Sequence, residues 1–108
     1  MTLPTEIFGD VVVVHTPEEL ANDHADGIER FLTTLERSNV VVDLDSTESI
    51  DSAGLNVLLD VQDNLRELGG NLKIATTNHM NRKILEITRL DHNLEIYESV
   101  VEAVKSFN

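Results

Sequence analysis

Hydrophobic and polar positions change period several times along this chain, and each change marks an element. Two β-forming runs come first, Thr5-Glu6-Ile7-Phe8 and Val11-Val12-Val13-Val14, joined by Gly9-Asp10. A two-residue link of that kind between strand formers predicts a hairpin, Gly taking the positive φ that the turn needs. Four consecutive valines predict a strand buried on both faces. Thr16-Pro17-Glu18-Glu19 then carries a helix-start signal, with Thr as N-cap, Pro in the first turn and Glu as capping-box partner. Leu20, Ala21, His24, Ala25, Ile28, Phe31, Leu32 and Leu35 follow at helical spacing. They predict a first helix running up to Arg37, weakened locally at Gly27.

Asn39 to Leu44, with three valines in a row, predicts the next strand, and Asp45-Ser46-Thr47-Glu48 a polar loop after it. From Ser52 to about Arg66 runs the longest amphipathic pattern in the chain. Leu55, Leu58, Leu59, Val61, Leu65 and Leu68 form its apolar face, and Gly69-Gly70 supply the break usual past a helix C-terminus. Leu72 to Ala75 predicts a short strand, and Thr76-Thr77-Asn78 a turn and cap. A third helix is expected over about Asn78 to Leu90, packing through Met80, Ile84, Leu85 and Ile87. Leu94 to Tyr97 predicts a last strand, and Ser99-Val100-Val101-Glu102 a capping box opening a terminal helix through Val104 and Phe107. The order β-β-α-β-α-β-α-β-α defines an α/β fold, a largely parallel sheet covered by helices, with a hairpin at its start.

Composition narrows what such a fold can do. With 108 residues and 41% hydrophobic residues, a single domain over residues 1–108 with a real core is expected. Twenty acids against eight bases give a net charge of −12, which argues against direct binding of nucleic acid or anionic membrane. It suits solubility, or a more basic partner surface. The absence of cysteine removes disulfides and thiolate chemistry. No basic segment followed by an apolar run opens the chain, and no apolar stretch approaches the roughly 20 residues of a membrane span. A cytoplasmic protein without membrane insertion is therefore expected.

The stretch that concentrates chemistry is Ser49-Ile50-Asp51-Ser52-Ala53-Gly54-Leu55. Asp51 and Ser52 are both preferred N-cap residues, so the long helix should begin beside them. A hydroxyl there sits where backbone N–H groups and the helix dipole favour an added negative charge. Taken alone, Ser52 is either a helix cap or a phosphoacceptor. Asp51 reads as a cap or loop acceptor that presents Ser52, and Gly54 as a site of close helix–sheet packing. An enzyme reading would place magnesium on Asp43, Asp45 and Asp51, since carboxylates are the right ligands. A phosphoaspartate receiver would need a Lys after its last strand, whereas Lys105 lies in the terminal helix pattern. His15, His24, His79 and His92 have no metal-ligand spacing and read as solvated or capping residues. Arg82, Lys83 and Arg89 read as the solvated side of the third helix. No catalysis, metal or cofactor is expected.

This order, with Asp51-Ser52-Ala53-Gly54-Leu55 opening the second helix, resembles a STAS domain (sulphate transporter and anti-sigma factor antagonist) over nearly the whole chain. Val40-Val41-Val42-Asp43-Leu44 followed by Ile50-Asp51-Ser52-Ala53-Gly54-Leu55 matches the family's apolar strand and Asp-Ser-x-Gly-Leu pattern. Gly69 to Ile74 resembles its helix end and next strand, and Asn81 to Leu90 its third helix. The resemblance implies a mixed sheet with helices mainly on one face and the phosphoacceptor exposed at one end. For stand-alone members it implies an anti-sigma factor antagonist, or anti-anti-sigma factor. Unphosphorylated, such a protein binds an anti-sigma factor serine kinase and frees a sigma factor for transcription. The kinase would inactivate it at Ser52, and a PP2C-type phosphatase would reverse this. The implied partner surface is Asp51, Ser52, Ala53 and Gly54 with Asp45 and Glu18.

Two features depart from the family pattern. Ala53 stands where many regulatory members carry a second hydroxyl, which leaves Ser52 as the one acceptor there. His15-Thr16-Pro17-Glu18-Glu19-Leu20 replaces a loop that often holds Gly, an acid and an apolar residue at the partner-facing end. The alternative within the family is a STAS module without a phosphoswitch, a scaffold or an accessory subunit of a lipid transporter.

Overall fold

Because strand side chains alternate between faces, the unbroken valine runs predicted to be strands must be covered on both sides, and they are. A computed structural model describes residues 2–107, apart from the side chains of Asn22, Asp23 and Asp91. Met1 and Asn108, the outermost residues of the expected domain, lie outside the described residues. The main sheet holds β1 (Thr5–Phe8), β2 (Val11–His15), β4 (Asn39–Asp43), β6 (Asn71–Ala75) and β7 (Glu95–Tyr97), in the order β1-β2-β4-β6-β7. β1 pairs antiparallel with β2, turning at Gly9 with φ 65°, and the other pairings are parallel. A smaller parallel pair joins β3 (Glu19–Leu20) to β5 (Ser49–Ile50). The helices are α1 (Asn22–Thr33), α2 (Ser52–Glu67), α3 (His79–Ile87) and α4 (Val100–Lys105), with a single 3₁₀ turn at Leu90–His92.

Val12, Val14, Val40, Val42, Leu72 and Ile74 face the main core, where Ile28 and Leu32 of α1, Leu58 and Val61 of α2 and Leu85 of α3 meet them. Val11, Val13, Val41 and Ala75 point the other way, into a smaller core closed by Ala103, Val104 and Phe107. Three helices thus cover one face and α4 the other, the mixed-sheet arrangement expected. Lys73 lies on this second face and is 6% exposed. Its ammonium is held by the Ser106 carbonyl (3.2 Å) and hydroxyl (2.8 Å), by Glu95 (3.2 Å) and over the Phe107 ring (4.2 Å). A buried charge this well partnered fastens the end of α4 to β6.

Three expectations change. The helix predicted from Thr16 to Arg37 begins only at Asn22 and ends at Thr33. Glu19 and Leu20 are extended instead, and Thr16, expected as its N-cap, turns its hydroxyl to the Asp43 carbonyl (3.0 Å) and to Thr47. At the far end Thr33 and Thr34 bond back to the Glu29 and Phe31 carbonyls and the helix stops. The third helix, predicted to reach Leu90, ends at Ile87, because the Thr88 hydroxyl bonds back to the Ile84 carbonyl (2.7 Å) and Arg89 takes a left-handed φ of 61°. Finally, three residues expected on apolar faces are exposed: Leu68, 68% exposed just past α2, and Met80 and Ile87, each 70% exposed, so α3 packs through Leu85 and the partly buried Ile84. The other predicted strands and caps are observed within a residue or two of their expected bounds.

Candidate functional site

Parallel strands deliver their C-termini to one end of the sheet, where His15, Asp43, Ala75 and Tyr97 stand at the last positions of β2, β4, β6 and β7. The segment after β4 crosses this end and enters α2. Asp51 is its N-cap: extended at φ −107°, it accepts the Gly54 N–H through Oδ1 at 3.0 Å. Ser52 is therefore the first helical residue and not the cap, and its side chain is exposed. With the cap supplied by the preceding residue, Ser52 is exposed at the positive end of a 16-residue helix. Ala53 is partly buried against the main core, and Gly54 is buried.

Gly54 has a specific reason to be glycine. A Cβ there would overlap the Leu20 carbonyl, the same oxygen that accepts the Asp51 N–H at 3.3 Å. The close helix–sheet packing expected at Gly54 is thus made between α2 and β3 of the smaller sheet. It draws the 19–20 segment against the helix start, and the Glu18 carbonyl accepts the N–H groups of Glu48 (2.8 Å) and Ser49 (3.1 Å). Glu18 therefore stands beside the Ser49–Ser52 segment, outside the helix in which sequence placed it, which begins only at Asn22. Glu18, Glu48 and Ser52 are all exposed there, with Asp51 partly buried among them.

Asp45 is placed differently. Its carboxylate accepts the Thr77 N–H (2.6 Å) and hydroxyl (3.1 Å), which ties the loop to the entry of α3. Asp43 is likewise engaged, Oδ1 by the Asp45 N–H (3.0 Å) and Oδ2 by His15 Nδ1 (2.8 Å). Among the described residues, no three acidic or histidine side chains converge as metal ligands, so Asp43, Asp45 and Asp51 do not form the magnesium site of the enzyme reading. Lys83 and Arg89 are exposed on or beside α3, and Arg82 pairs with Glu86 at 3.4 Å.

Sequence reasoning missed the residues that hold this loop in place. Asn81 is 2% exposed, and its amide donates to the carbonyls of Leu44 (3.1 Å) and Thr47 (2.8 Å). The Thr47 hydroxyl donates to the Pro17 carbonyl (2.6 Å) and meets Thr16. A polar residue at an inward helical position, four before Leu85, was the available signal for Asn81. Replacing Asn81 with Leu should lower stability by about 2 kcal/mol, since two buried carbonyls lose their donor. Urea unfolding measures this, and an unchanged midpoint would refute the role. His15 was also underread. It is neither simply solvated nor a cap, since both ring nitrogens meet carboxylates, Asp43 on one side and Glu6 (2.7 Å) on the other. Burial would lower its pKa, but hydrogen bonds and charge from Glu6 and Asp43 prevail and raise it above 6.5.

The geometry defines a class: an α/β module offering an exposed, dipole-favoured hydroxyl and a flanking acidic ribbon at one end of a mixed sheet. The chain belongs to the STAS domain family, whose model matches residues 2–103. It is 26% identical over 106 residues to a candidate anti-sigma factor antagonist of Thermotoga neapolitana, with 94% of each chain covered. The crystal structure of a candidate anti-sigma factor antagonist of Thermotoga maritima is similar at 25% identity and TM-score 0.85, covering 96% of this chain and 92% of that one. In fold alone, the chain is similar to the Bacillus cell-fate determinant SpoIIAA in its phosphorylated form, with TM-score 0.74, 16% identity, and 99% and 100% of the two chains covered. The anti-sigma factor antagonist SpoIIAA in its unphosphorylated form gives the same TM-score at 14% identity, with 97% and 96% covered. Among the described residues, no helix is long and apolar enough to cross a membrane.

Proposed function

We propose that this protein is an anti-sigma factor antagonist switched at Ser52. In the unphosphorylated state it binds an anti-sigma factor serine kinase through the α2 start and the adjoining β3–β5 ribbon, with Glu18, Asp51, Ser52 and Ala53 at the contact. Phosphorylation of Ser52 by that kinase releases it, and a PP2C-type phosphatase restores binding. The chain itself is the binding module and the substrate, not the catalyst, and it acts in the cytoplasm. The observation that carries the reading is the exposed Ser52 side chain at the first helical position, its helix capped by Asp51. Support comes also from the names of the Thermotoga relatives and from SpoIIAA, known in phosphorylated and unphosphorylated forms.

The physics of the switch follows from the site. A phosphoserine adds about −1.5 to −2 charges, which the N–H groups and dipole of α2 tolerate within the chain. The cost therefore falls on the complex. Incubation with ATP and the anti-sigma factor serine kinase of the same organism, followed by peptide mass spectrometry, tests the assignment. Phosphate is expected on Ser52 and absent in Ser52→Ala. Modification at another residue, or none, would overturn it.

A further inference from the structure

His15 closes β2 at the sheet end that carries the candidate site, and its ring bridges two strands. Nδ1 lies 2.8 Å from Asp43 Oδ2 on β4, and Nε2 lies 2.7 Å from Glu6 Oε1 on β1. A neutral imidazole has one N–H, whereas two ionised carboxylates can only accept. Both contacts are hydrogen bonds only when the ring carries two protons. Asp43 cannot readily turn away, since its other oxygen accepts the Asp45 N–H at 3.0 Å. Glu6 can, because it is exposed on an edge strand.

We infer that His15 is a proton-operated clasp that fastens edge strand β1 to β4 and steadies the chain entering the Thr16–Glu18 link. The charged groups facing the ring are Glu6 from β1 and Asp43 from β4, the two carboxylates already described. The next residue transmits the effect: Thr16 donates its N–H (3.1 Å) and hydroxyl to the Asp43 carbonyl, and its hydroxyl meets Thr47. From Thr47 and Pro17 the same link leads to Glu18, whose carbonyl holds Glu48 and Ser49. The inference does not depend on phosphorylation of Ser52.

The sign is fixed by the direction of the pKa. The His15 pKa in the folded chain lies above the ordinary 6.5. Its stabilising contribution is therefore complete below pH 6.5 and disappears as pH rises through the folded value. When the ring loses a proton, one nitrogen faces a carboxylate without hydrogen, and the Glu6 contact is the one that opens.

The test is NMR on the full chain. The His15 ring should titrate above pH 6.5, and Glu6→Gln should move its midpoint downward. Amide exchange at His15 and Thr16, whose N–H groups bond to the Pro4 and Asp43 carbonyls, should be read at pH 6 and at pH 8.5. Corrected for intrinsic rates, protection should fall about two- to fivefold across that interval, as for a partly exposed ion pair. In His15→Gln the fall should vanish, and in Glu6→Gln, an exposed change that spares the core, it should shrink. A His15 midpoint at or below 6.5, or equal loss of protection in wild type and Glu6→Gln, would overturn the clasp.

Discussion

If the proposed switch holds, Ser52→Asp is expected to weaken binding to the proposed anti-sigma factor kinase by about a thousandfold while leaving the fold intact. A unit charge brought within about 4 Å of a like charge, at an effective dielectric near 20, costs roughly 4 kcal/mol. That energy corresponds to nearly three decades in affinity. Two features of the structure keep the penalty out of the fold. Ser52 is exposed, so no desolvation is involved, and it lies in the first turn of α2, where a negative charge meets the positive end of the dipole. Glu18 and Glu48 already stand nearby, so the added charge strengthens a sign already present. Calorimetry at two salt concentrations, with thermal melts alongside, separates these effects. The loss of affinity should shrink as salt rises. Affinity equal to wild type would sink the switch, and a melting point lowered by ten degrees or more would show that the charge acts on the fold.

Gly54→Ala should be strongly destabilising for so small a substitution. In a helix interior, Ala normally stabilises relative to Gly by up to about 1 kcal/mol. Here the new methyl would overlap the Leu20 carbonyl, and backbone cannot rotate away as a side-chain tip can. Overpacking costs about 1–3 kcal/mol in a well-packed core, and occasionally more. With main chain on the other side, about 3 kcal/mol is expected, or a melting point lower by roughly 10–20 °C. The Asp51 N–H bond to Leu20 and the Glu19–Leu20 pairing with Ser49–Ile50 should loosen together, since both lie against that oxygen. A melt at or above the wild-type midpoint would refute this reading of Gly54.

What sequence revealed and what it concealed have the same origin. Val11 to Val14, Asn39 to Asp43 and the leucines of α2 carry long, locally consistent patterns, so the strands, the second helix and its start at Asp51-Ser52 were legible. Thr16-Pro17-Glu18-Glu19 carries an equally good local signal for a helix, yet tertiary partners outcompete it. The hydroxyl of Thr16 and the carbonyls of Pro17 and Glu18 are taken by Asp43, Thr47, Glu48 and Ser49, residues about thirty positions away. Pairing at that range leaves no periodic trace. Asn81 and His15 were hidden for the same reason, since each acts on a carbonyl or carboxylate from another element. Met80 and Ile87 show the converse, apolar residues whose spacing promised burial that the fold does not supply.

The polarity of the sheet also divides the molecule for anyone who wishes to attach something to it. The turn at Gly9-Asp10 and the break at Gly69 precede β2 and β6, so both lie at the opposite end from Ser52. Gly9, Asp10 and Gly69 are exposed, and a Cβ added at Gly9 or Gly69 would meet no neighbouring atom within 4 Å. Gly70 next door is different, because a Cβ added there would overlap the Ser38 backbone carbonyl. A fluorophore or peptide tag placed at Asp10 therefore sits across the length of the strands from the hydroxyl it would be used to watch.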